Sequence, residues 1–299
     1  MKPSTPPPTE QPNPRTARLD RGSTRRILEL MNREDARVPA AVRRVLPQIA
    51  RAVDAIVAAL GRGGRLFYVG AGASGRLGAL DAAECPPTFQ VSPSLVQAVL
   101  AGGRRAMVRS AEAAEDSAAA GARDLTRKGV RRGDVVVVLS ASGSTPYALG
   151  ALDFARRRGA FTVAVASNPR SPAAHRARVA ICPDTGPEVI AGSTRLKAGT
   201  AQKLVLNMLS TATMVRLGHV YRNLMVNVHR GNRKLRRRGE RVLELALGCS
   251  PREARRLIQR SGGNLKAALV MGRLGCSRAE AEGRLKRVAG HLHRALGER

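Results

Sequence analysis

Two stretches of this chain carry most of the chemistry it could do. In the first, Leu66–Phe89 (LFYVGAGASGRLGALDAAECPPTF), a short apolar run ends at Gly70 and a loop with Gly72, Ser74 and Gly75 follows. A carboxylate, Glu84, stands just before Cys85–Pro86–Pro87. In the second, Ser140-Ala-Ser-Gly-Ser-Thr145, the hydroxyls of Ser140, Ser142, Ser144 and Thr145 follow another apolar run. Backbone N–H groups at a helix start, ringed by hydroxyls, suit an anion. A carboxylate nearby suits proton transfer. Neither loop carries the lysine of a P-loop, so the pair fits a sugar phosphate better than a nucleoside triphosphate. Gly70–Gly75 also spells GxGxxG, but the acidic residue of a dinucleotide fingerprint, expected about 20 residues on, is missing. ECPPTF lies there instead.

A second carboxylate comes from Ser110–Ser117, where Glu115 competes with Glu112 and Asp116 for the role. A third segment, Pro183–Gln202, places Ser193, Thr194, Arg195, Lys197, Thr200 and Lys203 around the expected start of a long helix. Ser193 or Thr194 can cap that helix, and the basic residues sit at the end whose dipole favours an anion. The five histidines are scattered and form no metal pattern, so they receive no role.

These segments need rigid elements to hold them. Ser23 can cap a helix through about Met31, and apolar residues from Val42 to Leu60 recur at three- and four-residue spacing, with Pro39 and Pro47 bending or dividing the stretch. Strands are expected at Leu66–Val69, Leu95–Ala101, Asp134–Ser140, Thr162–Ala166 and Val179–Cys182. Helices are expected over 74–84, 111–125, 146–158 and from Ser193 or Thr194 to Leu217. The first of these should stop at Pro86–Pro87, since proline cannot donate the interior helix bond. The uninterrupted DVVVVLS suits a strand buried on both faces. This βαβα order implies an α/β fold, an open parallel sheet flanked by helices with its ligands beyond the carboxyl ends of the strands. Toward the C-terminus, Ser250–Pro251, Asn264, and Ser277 with Glu280 read as helix starts of a small bundle over 239–299. The domain reading is therefore a disordered Pro-rich start over 1–22, a sugar-phosphate-binding domain over 23–238, and the bundle, with Arg233–Arg241 as linker.

Composition narrows the function. The net charge of +30 rests on 45 Arg against 7 Lys spread along the chain, and only RKLRRRGER (Arg233–Arg241) clusters. Seven aromatics and no Trp leave no base-stacking platforms, so nucleic-acid binding is not the expected function. Four separated cysteines without CxxC spacing suit a reducing compartment. With no apolar leader and no apolar stretch of about 18 residues, a soluble cytoplasmic protein is expected, away from any membrane.

Long strings then carry a resemblance. GAGASGRLGALDAAECPPTF, AEDS, SASGSTPYALGAL and GPEVIAGSTRLKAGTAQKLVLNMLSTATMVRLGHVYRNLMVNV resemble the bacterial N-acetylmuramic acid 6-phosphate etherases, proteins of the sugar-isomerase (SIS) fold related to the animal glucokinase regulatory protein. The resemblance runs from about Thr9 to the C-terminus, where the tail is similar to that family's small ubiquitin-associated-like helical domain. It implies cleavage of the D-lactyl ether of N-acetylmuramic acid 6-phosphate in peptidoglycan recycling, without metal or redox cofactor. It also implies a homodimer with sites at the subunit interface. The family's proton donor falls on Glu84 and its second acidic residue on Glu115. Two positions depart from the pattern: Ser144 and Pro12 stand where the family commonly has Arg. Rival readings are a catalytically silent sugar-phosphate sensor, a sugar-phosphate-responsive transcription regulator, and an aldose–ketose isomerase.

Overall fold

The computed structural model describes residues 6–109, 111–227 and 233–298. The chain divides into two compact units, one of residues 1–83 and 93–210, the other of residues 84–92 and 211–299.

Helices α1 (Thr24–Asp35), α2 (Val38–Arg43) and α3 (Leu46–Leu60) lead into strand β1 (Leu66–Gly70), helix α4 (Gly72–Phe89) and strand β2 (Val96–Leu100). Pro39 and Pro47 stand in the first turns of α2 and α3, where a missing N–H costs nothing, so they divide the stretch as the sequence suggests. Next come α5 (Ala118–Arg127), β3 (Val135–Leu139), α6 (Pro146–Arg157), β4 (Phe161–Val165), α7 (Pro172–Arg176), β5 (Val179–Ile181) and α8 (Lys197–Arg216). The five strands form one parallel sheet in the order β2-β1-β3-β4-β5. All five residues of β1 and all five of β3 are buried, as expected for central strands covered on both faces. Alternate residues Phe67, Val69, Val136 and Val138 join a core with Leu125 of α5 and with Tyr147, Ala151 and Leu152 of α6. Tyr68 points to the opposite face, where α4 packs over it at Gly78.

The second unit holds the hairpin β6 (Val220–Tyr221) and β7 (Leu224–Met225), followed by α9 (Arg233–Leu247), α10 (Pro251–Arg260), α11 (Leu265–Leu274), α12 (Arg278–Arg287) and α13 (Leu292–Ala295). Ser250 with Glu253 and Ser277 with Glu280 form complete capping boxes, and Asn264 caps α11. Leu243, Ala268, Leu269, Val270 and Leu285 fill the core of this bundle.

Five expectations are corrected. Residues 8–22, expected to be disordered, form three short 3-10 turns that bury Thr9, Asn13 and Thr16. They are tied down: Thr16 Oγ1 donates to Val189 O (2.8 Å), and Gly192 N donates to Thr9 O (2.9 Å). Helix α4 runs through Pro86 and Pro87 to Phe89, because proline's fixed φ is helical and only the two donated bonds are lost. The 111–125 helix is two pieces, a 3-10 turn over Glu112–Ala114 and then α5, capped by Ser117. Helix α8 begins at Lys197, later than Ser193 or Thr194. Finally, Arg233–Arg241 is the first part of α9, an amphipathic helix whose Val242, Leu243 and Ala246 are buried, and is no linker.

Candidate active site

The carboxyl ends of the adjacent strands β1 and β3 hold the two Ser/Gly loops side by side in the first unit. Gly72 opens α4 with φ +52°, and a Cβ there would lie 2.8 Å from Glu115 Oε1. Glycine thus admits the Glu115 carboxylate against the first turn of α4. The same residue reaches the second loop, since Tyr147 N of α6 donates to Glu115 O (3.0 Å). Among the three acidic candidates in its segment, Glu115 brings its carboxylate to the first loop. Its pKa is raised, first by burial and then by the neighbouring charges of Asp116 and Glu112; Arg76, one turn into α4, acts in the opposite sense. Arg76 is itself fixed by donating to Ala106 O (2.8 Å) and Arg109 O (3.1 Å).

The second loop is a closed hydroxyl network. Ser140 Oγ lies 2.8 Å from Thr145 Oγ1 and 3.4 Å from Ser142 Oγ, and it accepts from Gly143 N (3.0 Å). Ser142 Oγ in turn accepts from Ser144 N (3.2 Å) and Ser144 Oγ (2.9 Å). Gly143 has φ +68° and packs against Ser171, so the loop cannot accept a side chain there. Ser144 is exposed.

The remaining expected residues fall into different roles. Ser74 is half-buried in the first turn of α4, but Gly75 is buried against Gly70 and Leu100 and serves close packing of α4 on the sheet. Ser193 and Thr194 lie in the turn before α8, half-buried. Lys197 is fully buried, and its Nζ donates to Glu34 Oε2 (2.6 Å). The first amides of α8, Lys197 N and Ala198 N, are taken by the Glu188 carboxylate at 2.9 Å each. An internal anion therefore already occupies that helix end. Between the first turns of α4 and α8 lies a cavity of about 490 Å³ lined by Ala73, Arg76, Arg195, Thr200 and Lys203. It brings positive charge beside the loops. Glu84 belongs to the second unit, where it is exposed on α4.

Several residues escaped the sequence reading. Arg76 follows GAGASG directly, but with 45 arginines no single one stands out. Glu34 is 3% exposed and accepts from Asn13 Nδ2 (2.9 Å), Arg15 Nη2 (3.0 Å) and Lys197; Arg15 above all holds its pKa down at about 2. Among the described residues, no cluster of three His, Cys, Asp or Glu could hold a metal ion.

The sequence matches the glucokinase regulatory protein N-terminal SIS domain family over residues 48–156 and the SIS domain family over residues 111–212. It is 54% identical over 261 residues to an N-acetylmuramic acid 6-phosphate etherase of Jannaschia sp., covering 87% of this chain and 83% of the relative. An etherase of the same description from Rubrobacter xylanophilus is 55% identical over 266 residues, covering 88% and 87%. The chain belongs to the N-acetylmuramic acid 6-phosphate etherase family. A crystal structure of a putative phosphosugar isomerase from Bacteroides fragilis superimposes with a TM-score of 0.52 at 22% identity, covering 70% of this chain and 99% of that one, which supports the SIS fold.

Proposed function

We propose that the protein cleaves the D-lactyl ether of N-acetylmuramic acid 6-phosphate, giving N-acetylglucosamine 6-phosphate and D-lactate, as a carbon–oxygen lyase. The observation that carries this reading is the Glu115 carboxylate set against Gly72, at the head of α4 and bonded through its backbone to α6, between two loops rich in N–H and hydroxyl donors. The first turn of α4 with Ser74, and Ser140, Ser142, Ser144 and Thr145, receive the phosphorylated sugar. Lys197 and Glu188 shape the Ser193–Thr194 turn from behind.

The reaction runs in two halves. In the open-chain aldehyde the C2 proton is acidic; a base removes it, the electron pair forms the C2–C3 double bond, and the C3–O bond breaks to release lactate. Water then adds at C3 and a proton returns to C2. Both halves need an acid and a base, each worth about 10²–10⁴ in rate. Glu84 is assigned as proton donor to the leaving ether oxygen, and Glu115, whose pKa burial raises, as its partner. A homodimer in the cytoplasm, acting in cell-wall recycling, completes the reading.

The test is D-lactate release from N-acetylmuramic acid 6-phosphate in ¹⁸O water. The elimination route places ¹⁸O at C3 of the sugar product and none in the lactate. Glu84→Gln should abolish most turnover and leave sugar-phosphate binding nearly intact. Binding without lactate release by the unaltered protein would favour the sensor reading, for which the match to the glucokinase regulatory protein domain speaks.

A further inference from the structure

Helix α4 ends in an unusual way. Pro86 and Pro87 remove the N–H groups that would bond Ala82 O and Ala83 O, so the turn after Glu84 is weakly joined to the helix before it. That turn is closed by Gln90 N donating to Pro86 O (2.9 Å), and Gln90, with φ +55°, then leaves the helix. Something else must hold it. The Phe89 carbonyl, one of the helix's orphan acceptors, receives Asn227 Nδ2 at 3.1 Å and has His219 Nδ1 at the same distance. Asn227 Nδ2 is also 2.8 Å from His219 Nδ1. His219 directly precedes β6 and Asn227 follows β7 by two residues, so the hairpin sets the two side chains next to each other.

An Asn227 oxygen in place of Nδ2 would set two acceptors 3.1 Å apart, so the amide nitrogen faces Phe89 O. By the same argument His219 Nδ1, also 3.1 Å from that carbonyl, carries the ring proton, so both side chains donate to the two lone pairs of Phe89 O. Burial, with help from the charges of Lys266 on α11 and of His291, holds the ring below the ordinary histidine range, against the opposing effect of the Phe89 carbonyl. Lys266 is anchored by donating to Gly218 O (2.8 Å) and Gly290 O (2.9 Å), so its ammonium is a fixed neighbour of the ring.

We propose that Asn227 and His219 are positioning residues for Glu84: they clamp the Phe89 carbonyl and so fix the proline-weakened turn on which the Glu84 side chain depends. This rests on the etherase reading, in which Glu84 delivers the proton. Neither residue touches substrate, and the clamp acts on orientation alone, so it affects turnover more than binding.

The experiment compares Asn227→Ala and the isosteric Asn227→Asp with the full-length protein. Asn227→Asp keeps the shape and can pair with His219, but it cannot donate to Phe89 O. The expected result for both is a kcat lower by roughly tenfold to a hundredfold, with KM for N-acetylmuramic acid 6-phosphate within about twofold. The Asn227→Asp protein keeps its melting temperature while the Gln90 amide exchanges faster with solvent. ¹⁵N NMR of the unaltered protein should show His219 protonated at Nδ1, the nitrogen that faces Phe89 O. An unchanged kcat in both variants overturns the proposal, as does a loss of kcat that merely follows a loss of melting temperature in Asn227→Asp. If the unaltered protein releases no lactate, the etherase reading fails by itself. The clamp is then judged on the histidine tautomer and Gln90 exchange: an unprotonated Nδ1, or exchange unchanged in Asn227→Ala, overturns it.

Discussion

Replacing Glu34 by Gln should destabilise the first unit strongly, although Glu34 is no part of the site. Among the described residues, the fully buried Lys197 ammonium has Glu34 as its ionic partner, at 2.6 Å. Glu34→Gln leaves that ammonium buried without a counter-charge, which costs about 3–5 kcal/mol. The acid–base behaviour gives an independent figure. The Glu34 carboxyl is lowered from 4.5 to about 2, a contribution of about 3 kcal/mol at 1.36 kcal/mol per unit. A depressed carboxylate stabilises the fold above its unfolded value, so this contribution is complete above pH 4.5 and drains away as pH falls toward 2. Lys197→Met should cost less, about 1–3 kcal/mol, because Glu34 keeps Arg15 and Asn13. The assay is thermal unfolding followed by far-ultraviolet circular dichroism. For a unit of this size 1 kcal/mol moves the midpoint by about 2–4 °C, so Glu34→Gln should lower it by about 6–20 °C at pH 7, and by much less near pH 3. A loss under about 1 kcal/mol, or a gap that does not narrow with acid, would refute the reasoning.

Other outcomes follow from the site. Asp116→Asn and Glu112→Gln each remove a negative charge that raises the Glu115 pKa, so the pH–rate limb set by Glu115 should move to lower pH; a move to higher pH contradicts the assignment. Gly143→Ala forces an alanine into a positive φ and against Ser171, which should cost at least about 1 kcal/mol by denaturant midpoint and raise KM for the sugar phosphate. Ser144→Arg puts a cation on the exposed rim of the hydroxyl loop; KM for the phosphorylated sugar should fall and become more sensitive to salt, and a salt-independent KM would argue that the phosphate lies elsewhere.

The sheet was readable because its signals are local. A continuous VVVVL can hardly be anything but a central strand, and Ser250, Asn264 and Ser277 announce their helices through side chains that bond three residues on. The site's hydroxyl loops were equally legible, since each follows such a strand. What was hidden depends on partners far away in the chain. Ser193 and Thr194 look like caps of α8, yet the cap is Glu188, whose carboxylate comes from nine residues before Lys197. Lys197 reads as a solvated anion binder until Glu34, 163 residues away, is seen to claim it. His219 had no pattern around it because its partners are a backbone carbonyl, 130 residues off, and an asparagine.

The N-terminal segment bears on the order in which the protein can assemble during synthesis. Thr16 and Asn13 find their partners, Val189 and Pro187, more than 170 residues downstream. A ribosome adding about 5–20 residues per second needs roughly ten to thirty seconds to supply them. Through that interval Glu34 is without Lys197, and the segment with Asn13 and Thr16 is among the last parts of the first unit to dock. The first unit therefore closes around its N-terminal segment only once the GPEVIAGSTRLK stretch has been made.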